Sequence, residues 1–147
     1  MSNATMRKFG HPRTLVAETA HWAVLVRPQQ VTLGSLVLAC REPATSFGQV
    51  SEAAFADLRT AVAGVEAALT GFVAYERINH LMLMMVDPDV HFHVIPRYQD
   101  VRRFEGVEFP DAGWPGPPAL GRSVEPPSAV FERIVQTLRD RWDGPAA

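Results

Sequence analysis

Cysteine is nearly absent from this chain: Cys40 stands alone among 147 residues. A single thiol closes no internal disulfide, so the fold must rest on its core, and a reducing cytoplasm is the expected compartment. No sign of charge dominates either, with 14 Lys and Arg against 16 Asp and Glu and a net charge of −2. That balance excludes the basic field that duplex nucleic acid or an anionic membrane surface selects. No apolar run approaches the ~20 residues of a membrane span, and neither a signal-peptide pattern nor an internal repeat appears. Ser2-Asn3-Ala4 has the character of a leader left by an expression vector and is set aside from fold reasoning.

What is present is ordinary globular material, 47% hydrophobic and 20% charged, long enough for one domain with a core and too short for two. Residues 5–13 are polar, with Gly10 and Pro12, and are expected to be irregular. Short strands are predicted over Thr14–Glu18, Trp22–Arg27 and Ser35–Cys40, the last two joined as a hairpin. Ser51 is an N-cap candidate with Glu52 in the first turn. Phe55, Leu58, Val62, Val65 and Leu69 then form one apolar stripe, and Gly71 offers a stop. Met82 to Met85 belongs to an apolar run, Ile78–Val86, that reads as a strand buried on both sides. Between Gln99 and Pro127, ten Gly and Pro residues preclude long regular elements, while Phe104, Phe109 and Trp114 predict an ordered wrap against the body. Ser128–Trp142 reads as a second amphipathic helix, with Phe131, Ile134, Leu138 and Trp142 on one side.

The chemistry concentrates in Asp87-Pro88-Asp89-Val90-His91-Phe92-His93-Val94-Ile95-Pro96-Arg97-Tyr98. Val90, Phe92 and Val94 alternate with Asp89, His91 and His93, the period of a strand. The pattern places two imidazoles and a carboxylate on one face and apolar residues on the other. Pro96 is expected to end the pairing, and Asp87-Pro88 to make the strand one arm of a tight hairpin with the run before it. Taken by itself, a His-X-His pair fits a structural pair, a metal half-site completed by Asp89, or a nucleophile with its helper.

This segment resembles the histidine triad superfamily, whose signature is three histidines alternating with apolar residues and followed by two apolar residues. His91 and His93 match the second and third histidines, Val94-Ile95 the apolar pair, and Pro96-Arg97 the continuation seen in the fragile-histidine-triad branch; Asp89 stands where the first histidine belongs. Leu25-Val26, Val31, Gly34 and Leu36-Val37-Leu38 look like the family's nucleotide-pocket strands, and Phe9-Gly10 fits that branch too.

The resemblance implies an α+β fold: an antiparallel sheet of about five strands, one long helix packed on it, and a C-terminal helix. It implies a core over residues 9–98, a Pro/Gly-rich loop over 99–127 and the helix over 128–142, in a single domain. The implied function is hydrolysis or transfer of a nucleoside monophosphate group, from a dinucleoside polyphosphate or a nucleoside phosphoramidate. His91 is then the nucleophile, His93 the phosphate and leaving-group contact, and Asp89 the donor of an orienting backbone carbonyl. Ser35, Arg27, Asn79 and Arg97 are weaker substrate-binding candidates. The family usually carries a histidine at the position of Ser35 and a ribose-binding Asn or Asp at that of Arg27. No cofactor is required, although a divalent metal can accompany a polyphosphate substrate, and no protein metal ligand is assigned. The partners implied are a small-molecule nucleotide and a second copy of the chain in a homodimer, with no membrane and no duplex nucleic acid. Two other classes stay open: a nucleotide-binding module with weak or no catalysis, motivated by Asp89, Ser35 and Arg27 together, and a metal-binding protein built on Asp89, His91 and His93.

Overall fold

The computed structural model describes residues 2–142. Its elements are α1 (Ala4–Lys8), β1 (Leu15–Glu18), β2 (Trp22–Val26), β3 (Leu36–Cys40), α2 (Glu52–Val73), β4 (Arg77–Leu81), β5 (His91–Arg97), β6 (Arg102–Phe104), β7 (Val107–Phe109) and α3 (Ser128–Arg141). Five antiparallel strands form one sheet in the order β1-β2-β3-β5-β4, and β6-β7 form a separate ribbon. The architecture is the α+β one expected, five strands with a long helix and a C-terminal helix against them.

The two central strands β2 and β3 are buried at every position. The sheet is covered on both faces, which is why these segments read as unbroken apolar runs. On one face Val24, Leu36, Leu38 and Val94 pack with Val65 and Leu69 of α2 and with Phe131 and Ile134 of α3. On the other, Ala23, Leu25, Val37 and Ala39 pack with Met6 of α1. The α1 helix corrects the expectation of an irregular segment over 5–13. It starts on the residues set aside as a leader: the Asn3 side chain accepts from Met6 N at 2.9 Å and donates to Cys40 O at 3.0 Å. A helix of five residues is not stable alone; packing and capping hold it.

Ser51 caps α2, its hydroxyl accepting from Ala54 N at 3.1 Å while donating to Glu42 at 2.5 Å. The buried side of α2 differs from the expected stripe. Ala54, Ala61, Gly64 and Ala68 are buried alongside Val65, Leu69 and Val73, whereas Phe55 is 41% exposed. Small residues bring the helix close to the sheet, close enough for Trp22 Nε1 to donate to Ala54 O at 2.8 Å. The helix also passes through Gly71 and ends at Ala74, whose left-handed φ of 52° supplies the terminus expected of a glycine.

Pro96 does not end the motif strand. β5 continues to Arg97, which pairs with Arg77 of β4. β3 stops opposite Leu36–Val94, so Pro96 lies where β5 keeps only one neighbour, and the missing donor is tolerated. Within 99–127, β6 and β7 turn through Glu105 and Gly106 at φ of 49° and 80°, the geometry of a tight two-residue hairpin. The Tyr98 hydroxyl accepts from Leu33 N at 2.8 Å and donates to Phe109 O at 2.7 Å, tying this stretch to the body. No described helix is long and apolar enough to cross a membrane.

Candidate functional site

The site grows from the alternation along β5. Phe92 and Val94 turn toward the helices, so His91 and His93 turn to the other face, above Ala39 and Val37 of β3. Their ring centroids are 5.1 Å apart with planes at 81°. Phe9, just past α1, lies 6.2 Å from the His91 ring and 6.0 Å from that of His93.

Asp89 departs from its expected placement. The strand starts at His91, and Asp89 precedes it with its carboxylate turned to α1. Asp89 Oδ2 accepts from Thr5 N at 3.1 Å and from Thr5 Oγ1 at 3.0 Å. The carboxylate is therefore not shared with the imidazole face. The backbone of Asp89 is: its carbonyl lies 2.7 Å from His91 Nδ1. The carbonyl accepts, so Nδ1 carries the proton and Nε2 is left as the free lone pair. His93 has a buried Nδ1 with no hydrogen-bond partner among the described residues. Burial, followed by the charges of Arg27 and His91, pushes its pKa down to about 4. His93 is thus a neutral ring at pH 7.

The histidines open into a cavity of about 250 Å³ whose other walls include Lys8, Phe9, Arg27 and Gln29. The remaining wall is the Met82–Val90 connection, which is neither a buried strand nor a tight hairpin. Pairing of β4 with β5 stops at Leu81–His93, leaving Leu83, Met85 and Val86 exposed at 45%, 84% and 81%. Met84 adopts a φ of 53°. The run has the composition of a buried strand because apolar residues alone do not distinguish a core from a surface loop. Asp87 anchors this loop to α1 through Lys8, Nζ to Oδ1 at 2.9 Å.

The four weaker candidates separate. Arg27 lines the histidine cavity. Ser35 does not: it is fully buried, and its hydroxyl donates to Thr32 O at 2.8 Å and accepts from Thr32 N at 3.0 Å inside the turn before β3. Arg97 and Asn79 lie together further along the sheet. Arg97 forms a buried two-bond pair with Asp111 at 2.7 and 3.1 Å and donates to Asn79 Oδ1 at 2.8 Å and Gly116 O at 2.9 Å. They cross-link the 111–116 loop to β4 and β5. Thr5 and Lys8 are site neighbours that the sequence did not announce, because nothing local ties residues 5–8 to residues 87–89.

No family model and no curated protein matches the sequence. Solved structures do match. A histidine triad protein from Bradyrhizobium japonicum superposes with a TM-score of 0.73 at 20% identity, covering 97% of each chain. The fold is that of the histidine triad proteins. A second, from Sinorhizobium meliloti 1021, superposes with a TM-score of 0.70 at 19% identity over 96% of each chain. The diadenosine triphosphate hydrolase of Plasmodium falciparum superposes at 0.61 and 10% identity, over 88% of this chain and 76% of its own. In this histidine triad fold the two histidines lie on β5, between β3 and the edge strand β4, on the face opposite the long helix. With the Asp89 carboxylate turned away, no three His, Cys, Asp or Glu side chains among the described residues are grouped to hold a metal ion.

Proposed function

We propose that this chain binds a nucleotide in the histidine cavity and cleaves or transfers at its α-phosphate, with His91 as the nucleophile. The observation that carries the reading is the 2.7 Å approach of His91 Nδ1 to the Asp89 carbonyl. It holds the proton on Nδ1 and leaves Nε2 facing the cavity as an attacking lone pair. The P–N bond forms as the bond from phosphorus to the leaving polyphosphate or amine breaks. Water then attacks the nucleotidyl-histidine, releasing nucleoside monophosphate and restoring the ring. Neutral His93 faces the same space and contacts the phosphate and the departing group. Dinucleoside polyphosphates and nucleoside phosphoramidates are the substrate classes, the first in keeping with the hydrolase among the similar structures. Because the side chain of Asp89 serves α1 and only its carbonyl serves the site, the departure from three histidines leaves this chemistry available.

Brief exposure to each substrate class, an alkaline quench and peptide mapping test the reading. A nucleotide on His91, absent in His91→Ala, is the expected result. A nucleotide on His93, or full turnover by His91→Ala, would overturn it. A nucleotide-binding module is the second reading, favoured by the basic Arg27 in the cavity; tight AMP binding with no adduct and no turnover selects it. Assembly as a homodimer is supported by β4, which ends the sheet; sedimentation at several concentrations checks it. The lone, buried Cys40 supports the cytoplasm.

A further inference from the structure

The histidine cavity continues into a second one of about 260 Å³, and the two share Lys8, Phe9, Arg27 and Gln29 as walls. Arg27 stands at the junction. The only hydrogen bond of its side chain among the described residues goes to Gln29 O, Nη1 at 3.0 Å. Its Nε is buried with no partner, and no ion pair among the described residues engages it. A guanidinium donates in five directions and accepts in none. Held at a cavity junction with most of those donors unspent on protein groups, it is placed to receive an anion. Arg97, which is more deeply buried, shows what a satisfied arginine looks like: it spends its donors on Asp111, Asn79 and Gly116.

We infer that Arg27, with Lys8 beside it, forms a subsite for a second phosphate group of the nucleotide, distinct from the phosphate attacked by His91. The inference rests on the nucleotide-binding reading above and deepens it. The second phosphate belongs either to the polyphosphate chain or to the ribose; both present the same oxygens to a guanidinium fork. Lys8 is half exposed and pairs with Asp87, and an ammonium has three donors, so it can reach a phosphate while keeping that pair. Glu125 lines the outer cavity and is the one carboxylate there, a counterweight that suits a ribose hydroxyl better than a phosphate. Burial lowers the Arg27 pKa from its ordinary value, which agrees with a cation held partly out of water and without a counter-charge.

Calorimetric titration of the full chain with AMP, ADP, adenosine 2′,5′-bisphosphate and adenosine 3′,5′-bisphosphate tests the subsite without requiring turnover. At least one two-phosphate nucleotide is expected to bind tenfold or more tightly than AMP, about 1.4 kcal/mol. Preference for ADP assigns the subsite to the polyphosphate chain, and preference for a bisphosphate assigns it to the ribose. Arg27→Met brings the ratio near one, Arg27→Lys restores part of it, and Lys8→Met lowers it, its thermal unfolding read alongside because Lys8 also pairs with Asp87. Equal affinity for all four ligands with AMP bound, or a preference that survives Arg27→Met, would overturn the subsite alone. Failure of every nucleotide to bind would overturn the functional reading and the subsite with it.

Discussion

Replacing Asp89 separates what its side chain does from what its backbone does. In the structure the carboxylate accepts two bonds from Thr5, at 3.1 and 3.0 Å, and the Asp89 N–H returns one to Thr5 Oγ1 at 3.3 Å. Hydrogen bonds to a charged group contribute about 1.5–3 kcal/mol each when shielded, and the site is only partly buried. Asp89→Ala is therefore expected to lose about 2–3 kcal/mol in denaturant unfolding. Asp89→Asn keeps one acceptor oxygen aimed at Thr5 and is expected to lose about 1 kcal/mol. The loss is local before it is global, because α1 has too few residues to persist without this tie. With α1 go Lys8 and Phe9, two walls of the cavity. Catalysis should respond differently. The carbonyl that faces His91 Nδ1 remains in every variant, so Asp89→Asn keeps adduct formation on His91. A double-mutant cycle with Thr5→Val should give a coupling of about 1–2 kcal/mol. Unchanged stability in Asp89→Ala would refute the α1 tie. A folded Asp89→Asn that has lost more than about a thousandfold in turnover, near 4 kcal/mol, would show that the carboxylate itself acts.

Three further outcomes follow from other parts of the molecule. The His93 pKa is held near 4 in the fold against about 6.5 in the unfolded chain, so between those values the unfolded state binds the extra proton and stability falls as pH drops. The full shift corresponds to about 3 kcal/mol, and about half survives solvent screening in an open cavity; His93→Gln should flatten the pH dependence of urea unfolding between pH 6.5 and 4, and an identical slope in both proteins would contradict this. Arg97→Met strands the Asp111 carboxylate, whose side chain is 1% exposed, and should cost about 3–5 kcal/mol in thermal or denaturant unfolding; Arg97→Lys should recover little, since the two-bond geometry needs a guanidinium. Gly34 has a φ of +87°, and a Cβ there would sit 2.9 Å from Leu69 Cδ2 and Val73 Cγ2, so Gly34→Ala should lower the urea midpoint by the equivalent of about 1–3 kcal/mol.

The sequence by itself determined the features that depend on local geometry. The period-two alternation around His91 and His93 decides which side chains share a face, because successive residues on a strand point opposite ways. Ser51 followed by Glu52 marks the start of α2, since orphan amides need an acceptor wherever a helix begins. The apolar runs Trp22–Arg27 and Ser35–Cys40, short and bounded by Pro28 and Gly34, read as strands, while the covering of their second face by α1 is a tertiary outcome. Tertiary structure decided the rest. Asp89 obeys the alternation on paper, but its carboxylate answers to Thr5, 84 residues away, and no local rule carries that distance. The same holds for Met82–Val86, whose apolar character is compatible with core and with cavity wall alike; where β4 stops pairing settles it. Arg27 and Arg97 are equivalent as letters. Arg97 meets Asp111 and becomes a cross-link, while Arg27 meets an open cavity and spends one donor on Gln29 O, because charge chemistry is set by what the fold places opposite each side chain.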